Sequence, residues 1–253
     1  MTEPFEDSLL LVAEAKSKFD TLCSMMKEFA ESKPSKYRFE KRPETNETWH
    51  FQRVVKQFPP RARSVMSGAI GDLRHALDMA TCESARLLGA SAGHQTYFPF
   101  ANSFDELEPT IRKRCKHVRP EILDIIRGWK PYKGGDDDLH AITRLAGIGK
   151  HRELLKVSPR PQFGRHADFN FSGVQHINYI FDIGSDRDDE FLFAITSPIA
   201  GKIFNITMEV SHVLRFGDVA DMKGRGALEF LDDSTAKIGS IVAAIKAETI
   251  GLL

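Results

Sequence analysis

The chain has 253 residues, of which 42% are hydrophobic and 28% charged, a composition suited to a globular core rather than to a disordered or fibrous protein. Lys+Arg and Asp+Glu both total 35, so net charge gives no reason to expect nucleic acid or a membrane surface as a partner. The three cysteines, Cys23, Cys82 and Cys115, are far apart, which excludes a disulfide framework and fits free thiols in a reducing compartment. An acidic start, Glu3 to Asp7, and the lack of a ~20-residue apolar run make a cytoplasmic protein without membrane partners the expectation.

Asp7 or Ser8 can cap a first helix that ends before Pro34, with Val12, Ala15, Phe19, Leu22, Met26 and Phe29 as its apolar stripe. Lys36–Lys41 and Thr48–Val54 then alternate polar and apolar residues around Pro43 and Asn46, predicting a β-hairpin over 36–54. The dominant stretch follows. From Pro60 to Leu88, the residues Met66, Ile70, Leu73, Leu77, Ala80, Ser84 and Leu87 recur at helical spacing, and Gly89 marks the stop. Small residues on it (Ser67, Gly68, Gly71) would allow another helix to approach closely.

Phe98-Pro99-Phe100 reads as a short apolar crossing. Ser103 and Glu106 form a capping-box pattern for a helix that Pro109 should break or restart. The basic run Arg112–Arg119 has no interleaved aromatics and reads as a solvated helix face rather than a phosphate grip. Glu121–Trp129 predicts a short helix, Lys130–Asp138 a loop, and Asp136–Asp138 the acidic start of a helix over Leu139–Leu145. Beyond Lys156, strands are predicted at 169–171, 174–183, 190–196 and 203–216, and a last helix over 227–247. The fold class is therefore α+β, with an N-terminal antiparallel helical bundle carrying the hairpin, then an antiparallel sheet and a C-terminal helix. The linear division is 1–155 and 156–253.

Two polar clusters are candidates for chemistry. One is Asp72, Arg74, His75 and Asp78 on the long helix; the other is Lys150-His151-Arg152 behind Gly147 and Gly149. They read either as ion pairs that fix the fold or as a grip for phosphate or carboxylate. Gly147-Ile148-Gly149-Lys150 is not a phosphate loop, since Arg144 and His151 stand where that motif needs glycine and Ser or Thr. No zinc signature or Gly-x-Ser-x-Gly elbow occurs, so no metal or cofactor is expected, and Cys82 reads as an inert buried thiol.

Gly68 (or the displaced Gly71-Asp72), Leu73-Arg74, Ala76-Leu77-Asp78, Phe98-Pro99-Phe100, Pro131-Tyr132 and Lys150-His151-Arg152, in that order, resemble a widespread group of uncharacterised bacterial proteins. The likeness covers about the first 155 residues and implies an architecture but no activity. Met79 stands where the group tends to have histidine, and Gly149 where it tends to have aspartate. An arginine followed by four residues and a histidine also resembles the pair that HEPN ribonucleases assemble across a helical dimer. Met79 breaks that spacing at Arg74, and Arg112 and His117 satisfy it elsewhere.

The leading expectation is a non-enzymatic binding or interaction module that forms homo-oligomers through its long helices. The alternative is a HEPN-like, metal-independent ribonuclease or a protein binding phosphate esters or RNA. In that alternative Arg74 would stabilise phosphate charge, His151 or His75 would be the acid–base group, and Lys150 and Arg152 would hold the backbone. Asp72 and Asp78 complete the set of candidate binding residues.

Overall fold

The computed structural model describes residues 3–42, 44, 47–90, 96–151, 154–163, 178–182, 190–196, 210–217, 219 and 222–253. Among them are six helices, α1 (Glu6–Glu31), α2 (Arg61–Leu87), α3 (Phe104–Arg114), α4 (Pro120–Gly128), α5 (Asp137–His151) and α6 (Ala227–Gly251). Six strands accompany them: β1 (Ser35–Arg42), β2 (Glu47–Val54), β3 (Val157–Phe163), β4 (Asn178–Asp182), β5 (Glu190–Thr196) and β6 (Val210–Phe216). The class is α+β, as the periodicities predict. The strand expected at 169–171 lies outside the described residues.

Contacts group the chain into two compact units that interleave in sequence: 1–23, 60–157 and 216–253 in one, 24–59 and 158–215 in the other. This differs from a linear division at residue 155, because α6 packs most extensively on α2 and β2 pairs with β5.

The helical unit is built on α2. Met66, Ile70, Leu73, Leu77 and Ala80 are fully buried along its predicted stripe, and α5 and α6 pack against it. Ile238, Ile241, Val242 and Ile245 of α6 are likewise fully buried. Each large aliphatic side chain removed from water in this way contributes about 1.5–3 kcal/mol. The first part of α1 runs antiparallel to α2, since the Phe5 backbone N–H donates to Glu83 at 2.9 Å while Lys18 meets Asp72 at 2.5 Å. A Cβ added at Gly68 would lie 3.2 Å from Lys18 Cε. The absence of a side chain there is what lets Lys18 lie across α2.

Pro109 does not break α3. It lies inside a continuous helix, and its missing N–H deprives only the carbonyl of Asp105 in the exposed first turn, where water can replace the bond. The capping pattern is also rearranged: Ser103 makes no side-chain cap, and Glu106 instead accepts from the backbone and side-chain N–H groups of Asn102 at 3.3 and 3.0 Å.

The α4–α5 turn is tightly specified. Gly134 has φ +85°, and a Cβ at Gly135 would lie 2.6 Å from the Lys130 carbonyl oxygen, so both positions require glycine. The three following acids each have a separate partner. Asp136 caps α5 by accepting from the Leu139 N–H at 2.9 Å, and it also meets Lys237 of α6 at 2.6 Å. Asp137 accepts from the Gly134 N–H at 2.7 Å, and Asp138 meets Arg225 at 2.5 Å.

In the second unit, β1, β2, β5 and β4 form a four-stranded sheet in that order, with every neighbouring pair antiparallel. The hairpin register, Ser35 opposite Val54 to Arg42 opposite Glu47, matches the alternation read from sequence. β3 and β6 form a separate two-stranded sheet. β3 was not expected, because Pro159 and Pro161 obscure its signal. A strand with a single neighbour has a free edge that tolerates residues without an N–H. The later part of α1 belongs to this unit, where Phe29 packs edge-on against Phe58 and His212 at 5.2 and 5.8 Å.

Asp136 joins a helix cap to an ion pair, so its variants should separate the two. Asp136→Asn, which keeps the capping acceptor, should destabilise by less than Asp136→Ala. The alanine variant should lose about 1–2 kcal/mol for the cap as well as the pair, read by urea unfolding at neutral pH.

Candidate functional site

Two members of the long-helix cluster, Arg74 and Asp78, form a clamp. Arg74 and Asp78, one turn apart on α2, are hydrogen-bonded to each other, with side chains only 12% and 19% exposed. The guanidinium carbon of Arg74 lies 4.5 Å from the centre of the Phe100 ring, a cation–π contact. Asp78 also accepts the backbone N–H of Phe98 at 3.0 Å. The Phe98-Pro99-Phe100 crossing is thereby pinned to α2, and its two rings pack at 5.0 Å. It continues to Ala101, whose N–H donates to the Pro131 carbonyl at 3.0 Å in a bridge between Ala101 and Tyr132. Three separate sequence pieces, Leu73–Asp78, Phe98–Phe100 and Pro131-Tyr132, are thus one connected assembly.

Burial works against both charges in the clamp. It pushes the Asp78 carboxyl above its ordinary value although Arg74 and the Phe98 N–H pull it down, and it lowers Arg74 although Asp78 raises it. The pair therefore serves to position the chain more than to add net stability.

The remaining candidates do not join this clamp. Asp72 pairs with Lys18, and His75 is exposed. Lys150 and His151 close α5, but their side chains, and the whole of Arg152, lie outside the described residues. The basic run is solvated as expected, with Arg112, Lys113, Arg114, Lys116, His117 and Arg119 exposed while Cys115 and Val118 are buried, but only Arg112–Arg114 lie on a helix, α3, and the rest form the turn that follows it. Cys115 donates to the Tyr97 carbonyl at 3.3 Å, and burial pushes its thiol up to about 12, so it is not a thiolate at neutral pH. Cys82 is half-buried rather than fully enclosed. Among the described residues, no group of three or more His, Cys, Asp or Glu is arranged to hold a metal ion, and no helix is long and apolar enough to cross a membrane.

A second location emerges within the helical unit: a cleft of about 340 Å³ along one face of α5. Asp137, His140, Arg144 and Ile148 line it, at the three- and four-residue steps that place side chains on one helix face. Lys133 and Arg225 bring two more cations, while Leu145, Val219 and Met222 add apolar surface. Near Val219 and Met222 in sequence, the Gly217 N–H donates to the Lys156 carbonyl at 2.8 Å and the Gly224 N–H donates to the Phe216 carbonyl at 2.9 Å. Arg225 is itself held from two sides, by Asp138 at 2.5 Å and by the Phe230 ring at 5.1 Å. Sequence reading noted Arg144 for spoiling a phosphate loop and for a loose Arg…His spacing with His151, and passed over His140 and Arg225. Their spacing along α5 was legible, but the loop that completes the cleft arrives from some eighty residues further along the chain.

No protein-family model, curated protein or solved structure matches this chain.

Two outcomes follow from these contacts. Asp78→Asn retains an acceptor for Phe98 but strands Arg74, and Asp78→Ala removes both functions. Losses of about 1–3 kcal/mol are expected in urea unfolding, larger for alanine, and Arg74→Met combined with Asp78→Leu should recover part of the loss.

The Arg225 hydrogen bond holds the Asp138 carboxyl below its ordinary 3.8. A lowered folded-state value means stabilisation that is complete above the unfolded value and lost as pH falls through the folded one. Asp138→Asn should therefore lower Tm at pH 7, with the gap to wild type closing as pH falls below 3.8. A gap independent of pH would show that the ion pair contributes nothing through its charge.

Proposed function

We propose that this protein is a non-enzymatic binding module. The observation that carries this reading is the state of Arg74, the residue best suited by position to stabilise phosphate charge. Its guanidinium is committed to Asp78 and lies against Phe100, in a side chain only 12% exposed. Transition-state stabilisation needs donors aimed at developing charge in a site that admits the substrate. A guanidinium used to hold a chain crossing does not meet that need. Cys115 is a protonated thiol at neutral pH for the reason given above, which removes it as a nucleophile.

Two of the three small residues that suggested close approach of helices from two copies have intrachain uses. Gly68 makes room for Lys18, and the Ser67 hydroxyl accepts the Leu155 N–H at 2.9 Å. Gly71 has no neighbouring atom within 4 Å of an added Cβ. Gly71 thus leaves space for the close approach of another helix, and self-association through the long helices stays part of the proposed reading.

The test is incubation of metal-free protein with a mixed-sequence RNA, beside a folded Arg74→Ala variant. No cleavage above background is expected from either protein. Cleavage by wild type that is lost in the variant would overturn the reading and make the clamp a nuclease site.

A further inference from the structure

We infer that the turn joining α3 to α4 is a docking surface for the phosphate backbone of a single-stranded nucleic acid, which it binds without cleaving. This deepens the binding-module reading and rests on it.

Folding gathers a linear basic run into one patch. Cys115 and Val118 are 3% and 7% exposed, and the Val118 N–H donates to the Cys115 carbonyl at 3.1 Å, so these two residues anchor the turn. Every other residue from Arg112 to Arg119 is exposed; five are Lys or Arg and the sixth is His117. Three carboxylates act on the run. Asp78 is paired with Arg74, Glu108 holds Arg127 through both oxygens, and Glu121 lies 3.6 Å from Arg119. Arg112, Lys113, Arg114 and Lys116 are left without an ion pair among the described residues. From Ser84 to Ser103 the sequence has no Asp or Glu, so the segment that leads to the patch brings no further acid. Charges act on one another within about 10 Å at moderate salt, so this local excess operates although the chain is neutral as a whole.

The run itself has no aromatic residue, but the fold supplies one. The Tyr97 N–H donates to the Arg114 carbonyl at 3.3 Å, and the Tyr97 carbonyl accepts from the Cys115 thiol at 3.3 Å. Tyr97 is 44% exposed, so it adds aromatic surface beside the cations. Guanidinium forks match phosphate oxygens, and an aromatic ring next to them is a platform on which an unpaired base stacks. An acidic polypeptide would use the cations alone. A lipid surface calls for large apolar side chains beside the basic ones, whereas Phe104, the most exposed large hydrophobic of α3, stands at the other end of that helix next to Asp105 and Glu106.

The test is fluorescence anisotropy of a short labelled oligouridylate titrated with the full chain, with polyglutamate and phosphatidylserine-containing vesicles as competitors. The oligonucleotide should bind, and its affinity should fall at least tenfold as salt rises from about 50 to about 200 mM. Arg112→Gln combined with Lys113→Gln and Lys116→Gln should weaken binding at least tenfold with the circular dichroism spectrum unchanged. The same loss of charge at Lys27, Arg61 and Lys223, which are exposed elsewhere, should change it less than twofold. Tyr97→Leu should weaken binding at least threefold and leave the salt dependence as it was. Full affinity in the patch variant or in Tyr97→Leu would overturn the proposal, as would an equal loss in the control variant. Polyglutamate or vesicles competing as well as unlabelled oligouridylate would also overturn it, in favour of an acidic protein or a membrane. No anisotropy change at low salt would remove the patch as a docking surface. The module reading, judged by RNA cleavage, would survive that result.

Discussion

Arg74 and Asp78 carry opposite charges to the border of the buried stripe of α2, where their side chains are only 12% and 19% exposed, and the arrangement of the helical unit depends on how that cost is met. Desolvation disfavours both ions, so each must be satisfied by the other and by further polar or aromatic groups. Asp78 completes its shell with the Phe98 N–H, and Arg74 with the face of Phe100. These requirements select one path for residues 98–101 over α2, since sliding the crossing by a residue would leave the carboxylate without its amide and the cation without its ring. The pair acts as a register pin. Its energetic return is specificity of arrangement, and the surrounding Leu73, Leu77, Phe98 and Ile122, all fully buried, supply the bulk of the hydrophobic stabilisation.

The pin also orders what lies beyond it. Ala101 leads directly into the Pro131-Tyr132 bridge, and that bridge abuts the Gly134-Gly135 turn from which α5 starts. Asp136 then fixes the α5 N-terminus to α6 through Lys237, and Asp138 fixes it to Arg225. The start of α5, and with it the cleft along that helix, is thus tied to a chain of polar contacts that begins at the clamp, although no clamp residue lines the cleft. A protein can keep charged residues in a core helix for this reason alone, without using them on a ligand.

Much of this was legible before any coordinates. Helical spacing identified α2 and α6 because a fully buried stripe leaves a strong period in the sequence, alternation identified β1 and β2 because a sheet imposes period two, and β5 was legible from its run of aromatic and β-branched residues. What could not be read is what depends on pairing at a distance. Residues Lys18 and Asp72, or Arg225 and Asp138, show no local signal of one another. Pro109 and β3 misled for a related reason: proline disfavours helix interiors and strands locally, yet one unpaired exposed carbonyl or one free strand edge is a small cost when tertiary packing holds the rest. The polar candidates on α2 were recognised as a group, but only the structure separates Arg74 and Asp78, which turn to each other, from Asp72, which turns to α1, and His75, which turns to solvent.

The interleaving of the two units has a consequence for how the chain is made. β2 lies near the start of the polypeptide and its partner β5 near residue 190, so a ribosome must release most of the protein before that half of the sheet can close. Until then β2 has only β1 beside it, and an isolated two-stranded hairpin is marginal in water. Such an edge, waiting through synthesis, is an opening for pairing with other chains. Its own sequence offers a defence: Lys36, Arg38, Lys41, Arg42 and Arg53 outnumber Glu40, Glu44 and Glu47, and so many charges along an edge, with a small positive excess, disfavour pairing between two nascent copies during the interval when they are most able to aggregate.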